Sequence, residues 1–335
     1  MTAPTYAADP VAPSGRRRVL LFGATGAIGQ ATAGALLGRG HEVVCFLRSS
    51  ATGLSARFPG AELRYGDASD PASVARDAFR GERFDAVVSC LASRTGAPKD
   101  AWAIDHRAQL GILAAAEATG APLFVLLSAI CVQKPRLAFQ HAKRAFEEAL
   151  AASRTRHAIV RPTAYFKSLS GQLDRLKAGK PFLLFGDGRS TACKPISDGD
   201  LGAYLADCVE DERLWDRILP IGGPGPAITP REQGERLFAL LGREPRFRSV
   251  PVAFLDAIIG ALDLAGRVST TAAEKAEFAR IGRYYATESM LVWDAEAGAY
   301  DAEATPSYGR ETLFAFYERL AAGAETVDLG AHKVF

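Results

Sequence analysis

Cysteine is scarce in this chain and is not spaced for a covalent or metal framework. The 335 residues include five cysteines, an odd number, and no two of them form a C-x-x-C pair. The five histidines show no metal-ligand spacing either. We therefore expect a reducing compartment, no disulfide framework and no metal site of the protein's own.

Long hydrophobic runs and an excess of charge are missing as well. No stretch of about 18 uncharged apolar residues occurs, so no transmembrane helix is expected. The net charge of +2 gives no electrostatic preference for nucleic acid. Residues 1–15 are rich in Ala, Pro and Thr and contain no apolar segment, which predicts a disordered tail and not a secretory signal.

Segment 252–264 is the nearest approach to a membrane-like sequence. Its two acids, Asp256 and Asp263, lie seven residues apart and so share one face of a helix. The pattern favours a helix packed on the protein body. Contact with a membrane surface is the alternative interpretation.

Hydrophobic residues make up 48% of the chain, enough for one large domain or two closely joined lobes. Strand-like and helix-like segments alternate through the first half. The predicted strands are 18–22, 42–47, 62–65, 84–90, 122–127 and 157–161, and the helices between them are 27–38, 71–80, 99–119 and 137–153. Apolar strands alternating with helices predict an α/β fold with a doubly wound, Rossmann-type parallel sheet.

The second half loses this alternation. Segment 181–195 is Gly-rich and irregular, 196–209 returns to a strand-plus-helix pattern, and helices are predicted near 230–241, 252–264, 271–282 and 308–322. We expect a cofactor-binding domain from 16–162 plus about 196–221. The remaining segments, about 163–195 and 222–335, would form a smaller, mostly helical substrate lobe.

A glycine-rich loop connects the first predicted strand to the first predicted helix. It has the form Gly-x-x-Gly-x-x-Gly, and its proposed cofactor-binding residues are Gly23, Thr25, Gly26, Ala27, Ile28 and Gly29. Such a loop turns sharply and places a pyrophosphate at the helix N-terminus. A purely structural turn is the alternative, but the βαβ context favours dinucleotide binding.

The residues at the end of the second strand usually determine whether such a fold binds NADH or NADPH. No acid is present there, and Arg48 is placed to pair with a 2′-phosphate, so we predict NADPH. Asp67, after the third strand, is a candidate for the adenine amino group or a turn residue. Further cofactor contacts are predicted at the ends of the fourth and sixth strands: Cys90, Leu91, Ala92 and Pro162.

The segment from Leu126 to Lys143 resembles the active-site strand and helix of a short-chain dehydrogenase/reductase. That family places Tyr four residues before its Lys, whereas this chain has Phe139 before Lys143. Lys143 can still hold the nicotinamide ribose, but Phe139 can do no acid or base chemistry. The missing phenol favours reduction of a conjugated carbon–carbon double bond, which develops no localised oxyanion, or a non-catalytic relative.

Two further side chains are candidates for the catalytic site. Ser128 ends the fifth strand, where a hydroxyl can face the substrate or cap a turn. Tyr165 is a candidate pocket wall or proton donor, with packing as its alternative. His141 and Cys131 are weaker donor candidates.

A closer resemblance rests on segments spread along the chain. They are 87–94, 124–135, 159–168, 193–197, 219–225, 281–285, 288–291 and 305–309, and the run Leu-Ser-Ala-Ile-Cys-Val-Gln-Lys-Pro is the most specific. The chain resembles the divinyl (proto)chlorophyllide 8-vinyl reductases, which are atypical short-chain dehydrogenase/reductases of chlorophyll and bacteriochlorophyll synthesis.

This resemblance implies NADPH-dependent reduction of the 8-vinyl group of a magnesium tetrapyrrole to 8-ethyl. The substrate would be divinyl chlorophyllide a or protochlorophyllide, with the magnesium belonging to it. Phe139, Tyr165, Phe166 and Met290 are the expected pocket residues. It also implies a cytoplasmic protein, with contact at photosynthetic membranes left open, as are the proton donor and the oligomeric state. An ene-reductase of a smaller phenolic substrate and an NADP-binding redox sensor are the rival interpretations.

Overall fold

Seven parallel strands form the central sheet of the computed structural model, which describes residues 15–51 and 53–325. They are β1 (Arg18–Phe22), β2 (Glu42–Arg48), β3 (Glu62–Gly66), β4 (Ala86–Ser89), β5 (Leu123–Leu127), β6 (Arg156–Pro162) and β8 (Arg217–Ile221), while β7 (Phe182–Phe185) lies outside this sheet. The predicted tail, except Gly15, lies outside the described residues, and so does the C-terminal Phe335.

The strand order is β3-β2-β1-β4-β5-β6-β8, and every neighbouring pair is parallel. The order reverses beside β1, where the connection crosses to β4. Every residue of β4 and β5 is buried, because a parallel sheet is covered on both faces. The predicted doubly wound fold is confirmed, and its crevice lies at the carboxyl ends of β1 and β4.

Helices cover both faces of the sheet. On one face lie α1 (Ala27–Gly38) and α8 (Asp198–Glu210), and on the other α2 (Pro71–Ser73), α3 (Pro98–Ala101), α4 (Gln109–Ala118) and α5 (Ala138–Ala151). The π-helical segments Val74–Phe79 and Trp102–Ala108 continue α2 and α3. The Asp70 side chain caps α2, accepting from the Ala72 amide at 3.0 Å, a contact typically worth about 1 kcal/mol.

A third apolar cluster forms beyond the sheet. It is built by α6 (Phe166–Leu169), α7 (Leu173–Lys177), β7, α9 (Pro230–Leu240), β9 (Phe247–Val250) and α12 (Leu313–Ala321). Segment 181–195 was predicted to be irregular, but it contains β7, which pairs with β9. Phe182 and Leu184 alternate into the cluster, so a period-two pattern decides the strand despite the surrounding glycines.

The strand that rejoins the sheet is also not where it was predicted. Segment 196–209 contributes α8, and Ile196 makes only an isolated bridge to Tyr165. The sheet strand is β8, which follows α8 and pairs with β6. Two short strands, β10 (Val292–Asp294) and β11 (Ala299–Asp301), form a separate antiparallel pair.

The remaining helices, α10 (Val252–Gly266) and α11 (Thr270–Thr287), form a hairpin. The predicted helix is present, but no residue of α10 is buried, and Phe254 and Leu264 are 58% and 65% exposed. Its acids face α11, because Asp256 pairs with Arg283 and Asp263 with Arg280. The apolar sides of α10 are therefore not buried on the protein body. Within residues 15–51 and 53–325, no helix combines the length and apolar character needed to cross a bilayer.

Candidate cofactor and active site

The glycine loop between β1 and α1 has no room for side chains at two positions. Gly23 has φ +76°, and a Cβ there would lie 2.5 Å from the Cys90 carbonyl carbon. A Cβ on Gly29 would lie 2.2 Å from the Gly23 carbonyl oxygen. Gly26 is the N-cap of α1, and the first turn of the helix contains no acid. The helix N-terminus is therefore suited to an anionic group that needs close backbone approach.

The other predicted loop residues divide by exposure. Thr25, Gly26 and Ala27 are exposed at the tip of the loop, whereas Ile28 is buried beneath it. The tip thus offers its backbone to a ligand, and Ile28 fixes the start of α1 in the core.

Arg48 and Asp67 end neighbouring strands at the same edge of the sheet. Arg48 is exposed, lies opposite Gly66 in the sheet register and makes no ion pair within the described part of the chain. Asp67 Oδ1 accepts hydrogen bonds from the Ser69 hydroxyl at 2.6 Å and the Ser69 amide at 2.8 Å. These bonds, with a smaller contribution from Arg48, lower the pKa of Asp67. The turn role of Asp67 is realised, and its adenine role stays a prediction.

The loop after β4 runs directly against the glycine loop. Burial raises the pKa of the Cys90 thiol to about 12, so it remains protonated at neutral pH. Gln109, on α4, fixes the loop by donating to the Leu91 carbonyl at 3.1 Å and accepting from the Ser89 hydroxyl at 2.9 Å. Ala92 is exposed beyond it. Pro162, at the end of β6, is buried beside Ile221.

Lys143 on α5 is held by a carboxylate that the sequence analysis missed. Its Nζ lies 3.0 Å from Asp105 Oδ1, and the Asp105 side chain is fully buried. Asp105 also accepts from the Ser93 hydroxyl at 2.6 Å and the Ser93 amide at 3.2 Å. One signal was available: Asp105 and Gln109 lie four residues apart on a helix face that otherwise contains Ala101, Ala108 and Ile112.

Phe139 and Met290, two of the predicted pocket residues, are brought together. Both pack against the small apolar cluster of Cys131, Leu137 and Tyr284. Phe166 lies elsewhere: it is 3% exposed, and its ring centroid is 5.4 Å from that of Phe316 in the third apolar cluster. This position favours core packing over the predicted contact with substrate.

Two buried polar atoms near Lys143 lack hydrogen-bond partners within the described residues. They are Ser128 Oγ and Gln140 Nε2, on side chains that are 3% and 0% exposed. Gln140 lies beside the Cys131 thiol, whose pKa burial raises and Gln140 in part lowers, whereas Ser128 Oγ has no such neighbour among the described residues. Buried polar groups are nearly always paired, so the Ser128 hydroxyl fits a ligand better than a closed core. The glycine loop allows close approach to its backbone, and the unpartnered Ser128 hydroxyl offers a polar contact. Together they fit a dinucleotide cofactor.

Tyr165 precedes α6 and lies near the thiols of Cys90 and Cys131. Burial, followed by these neighbours and Asp198, raises the pKa of its hydroxyl. Burial likewise raises the pKa of Cys131 to about 11, while His141 is exposed. Tyr165 and Cys131 are therefore neutral side chains at the cleft.

Comparison with known proteins decides the family. A family model described as NAD(P)H-binding matches residues 23–212. The chain is 48% identical to the chloroplastic divinyl chlorophyllide a 8-vinyl-reductase of Zea mays, over 99% of this chain and 87% of that protein. It is 46% identical to the protein of the same name from Arabidopsis thaliana, over 90% and 76%. The chain belongs to the divinyl chlorophyllide a 8-vinyl-reductase family.

The predicted resemblance is thus confirmed, and the chain has a nicotinamide-cofactor fold. Among solved structures, the complex of leucoanthocyanidin reductase with NADPH from Vitis vinifera matches with a TM-score of 0.66 and 17% identity. It covers 91% of this chain and 99% of that one, and the likeness is one of fold alone.

Gln133 and Lys134, in the loop after β5, connect this region to the C-terminal part of the chain. Gln133 donates to the Leu291 carbonyl at 2.6 Å and accepts from the Trp293 amide at 2.9 Å. Lys134 pairs with Glu288 at 2.8 Å and lies 3.8 Å from the centre of the Trp293 ring. These contacts explain why Gln-Lys-Pro follows the active-site strand, and the sequence analysis assigned them no role.

The described residues contain no group of three or more His, Cys, Asp or Glu side chains arranged to hold a metal ion. The candidate site instead contains a lysine–carboxylate pair, one unpartnered buried hydroxyl and apolar side chains. Such a set can orient a cofactor and an apolar substrate while leaving charge stabilisation to the substrate itself.

Proposed function

We propose that this chain reduces the 8-vinyl group of divinyl chlorophyllide a or protochlorophyllide to 8-ethyl, using NADPH. The observation that carries the proposal is the ion pair between Lys143 and the buried Asp105. Lys143 lies on the helix where Phe139 stands in place of the usual phenol. The site keeps the cofactor-holding cation of a reductase and has an apolar ring at the acid position.

That combination suits the bond reduced. The bound nicotinamide would supply a hydride. Because the 8-vinyl group is conjugated to the macrocycle, charge left after hydride addition spreads over the pigment, and no localised alkoxide needs an acid at position 139. Lys143 would hold the nicotinamide ribose, and Asp105 and Ser93 would keep its ammonium in place.

The choice of NADPH rests on Arg48. Its exposed guanidinium stands at the end of β2 without an ion pair among the described residues. A 2′-phosphate would give it a charge-assisted partner, and no acid follows it to bind a free 2′-hydroxyl.

The apolar side chains near Lys143 suit a large, flat pigment. Phe139 and Met290 share one small cluster near the end of α11. A cleft lined by such groups can bury the tetrapyrrole ring, and the magnesium would enter as part of the substrate. Tyr165 would contact the ring as a wall of the same site.

The assay is direct. Purified protein, NADPH and 3,8-divinyl chlorophyllide should give the absorbance shift of the 8-ethyl pigment. Lys143→Ala should lower turnover by about 10²-fold or more, since positioning of a reactant is lost, whereas Lys99→Ala, at an exposed position of α3, should not change it. NADPH binding without pigment reduction would contradict the proposal and favour a redox sensor. Reduction of small phenolic substrates alone would favour the other rival.

We also propose that the outer face of α10 rests on a lipid surface. Support comes from its composition: its two acids are paired with arginines of α11, and Phe254 and Leu264 are exposed. An exposed apolar face of a helix is what the boundary between headgroups and acyl chains takes up. The protein would then meet its pigment at photosynthetic membranes.

Vesicle sedimentation tests this placement. With phosphatidylglycerol–phosphatidylcholine vesicles, the protein should sediment and Phe254→Asp should not. Tyr65→Asp is the matched control, because Tyr65 is a 41% exposed aromatic residue on β3, away from the hairpin. Retention of the unmodified protein in the supernatant, or equal binding by both variants, would contradict the proposal.

A further inference from the structure

Two segments that are far apart in the chain meet beside the predicted pocket residues. One is the loop after β5, residues 129–136, which leads into α5 and so precedes Phe139. The other is segment 288–293, which runs from the end of α11 into β10 and contains Met290. The contact between these segments decides where Met290 lies relative to Phe139.

A buried carboxylate, that of Glu288, lies at the centre of this contact. The Glu288 side chain is only 6% exposed. Its Oε2 accepts from Lys134 Nζ at 2.8 Å and from the Tyr300 hydroxyl at 2.5 Å, while Oε1 lies 3.0 Å from a guanidinium nitrogen of Arg136. Because these partners come from the loop after β5 and from β11, one carboxylate at the end of α11 joins three segments.

The charge of Glu288 depends on these partners. Burial opposes ionisation, but the hydrogen bonds from Lys134 and Tyr300 and the charge of Arg136 outweigh it, so the pKa of the carboxyl is lowered. A buried charge is stable only while its partners remain in place. Conversely, removal of the anion would leave two cations of the loop close together without a counter-charge.

The backbone around Met290 is held on both sides. The residue two positions earlier is the glutamate just described, and the next residue, Leu291, has a carbonyl that accepts from the Gln133 side chain at 2.6 Å. The Met290 amide itself donates to the Ala192 carbonyl at 2.9 Å. Held at these points, Met290 packs against the same small apolar cluster as Phe139.

We infer, on the basis of the proposed function, that Glu288 is a positioning residue for the pigment. By joining the loop after β5 to segment 288–293, it sets Met290 beside Phe139 on the substrate side of the site. Asp105 has the corresponding role on the cofactor side, where it pairs with Lys143. Loss of Glu288 should therefore weaken binding of the pigment and leave binding of the nicotinamide cofactor intact.

Glu288→Gln tests this assignment, because it keeps the shape of the side chain and removes its charge. The KM for divinyl chlorophyllide should rise by about tenfold or more, since an apolar wall of the pocket is displaced. The dissociation constant for NADPH, and kcat at saturating pigment, should stay within about threefold. Glu288→Asp, which keeps the charge, should recover part of the affinity for the pigment.

Two further variants control for effects on folding. Gln133→Ala breaks the second link between the same segments without leaving a buried charge unpaired. It should raise the KM for the pigment even if Glu288→Gln folds poorly. Glu318→Gln removes an ion pair with Arg236 at 2.7 Å that lies on α12, outside this contact, and is about half exposed. This matched control should leave both KM and kcat unchanged.

Two outcomes would overturn the inference. One is an unchanged KM for the pigment in the folded variants of Glu288 and Gln133. The other is an equal loss of NADPH affinity and pigment affinity in these variants, which would make the contact a general support of the fold. Both differ from failure of the proposed function, in which the unmodified protein itself leaves the pigment unreduced.

Discussion

The central strands and helix α10 are both strongly apolar, but their surroundings differ completely. All five residues of β5 are buried, whereas no residue of α10 is. In β5 the apolar side chains meet helices on both faces of the sheet. In α10 the acids Asp256 and Asp263 face α11 and the apolar side chains face outward. Apolar content alone therefore does not predict burial; the position of the few charges, and what neutralises them, decides it.

This contrast separates two kinds of stabilisation. The sheet and its glycine loop depend on close packing, where one added carbon has no place. The hairpin depends on surface ion pairs and on contact between two helices. Substitutions in the two regions should therefore differ in size and in kind.

The largest effect is expected in the glycine loop. Gly29→Ala would place a carbon 2.2 Å from the Gly23 carbonyl oxygen, so the backbone must move and NADPH affinity should fall by about 100-fold or more. Gly34→Ala on the same helix has nothing within 4 Å of the new Cβ and should stabilise the protein by about 0.5–1 kcal/mol. Fluorescence titration and thermal unfolding measure the two effects. If Gly34→Ala lost as much NADPH affinity as Gly29→Ala, the packing argument would be contradicted.

The next largest effect is expected in the core of the sheet, and the equivalent change in the hairpin should have almost none. Phe124→Ala, on a fully buried strand, should lower the free energy of unfolding by about 3–5 kcal/mol. Leu264→Ala, at a 65% exposed position of α10, should change it by less than about 0.5 kcal/mol. Urea denaturation measures both, and a comparable loss for Leu264→Ala would show that α10 is buried in solution.

Cofactor choice should show a smaller, selective effect. Arg48→Ala should weaken NADPH binding by about tenfold or more, equivalent to about 1.4 kcal/mol, because one charge-assisted contact is lost. Binding of NADH should change little. Titration of both cofactors gives the ratio, and an equal loss for the two would sink the assignment of Arg48 to the 2′-phosphate.

The smallest effect belongs to the ion pairs of the hairpin. Asp263→Asn removes the carboxylate charge that pairs with Arg280. Exposed ion pairs of this kind contribute about 0–1 kcal/mol to the free energy of unfolding. The loss should shrink further at 1 M salt, since screening weakens the pair. A fall in the free energy of unfolding of more than about 2 kcal/mol, measured by thermal unfolding, would contradict this. It would mean that the pair is shielded from solvent far better than its exposure indicates.

The sequence predicted the sheet well because a strand buried on both faces must be mostly apolar. β5 is apolar throughout, and β1 and β4 are apolar except at Arg18 and Ser89. The sequence placed Phe139 and Lys143 on one helix face for the same local reason. It could not predict the Lys143–Asp105 pair or the hydrogen bonds of Gln133 with Leu291 and Trp293, because each joins segments that are distant in the chain. The strand β7 was missed because it is a run of only four apolar residues near glycines.

Transfer of hydride to the 8-vinyl group is the central claim, and an isotope label tests it most directly. The protein is given divinyl chlorophyllide and NADPH carrying deuterium at the transferable position of nicotinamide C4, and the pigment is analysed by mass spectrometry. We predict an 8-ethyl product with one deuterium in the ethyl group, formed about 10²-fold more slowly after Lys143→Ala. A product without deuterium, or unchanged pigment in the presence of bound cofactor, would contradict the account.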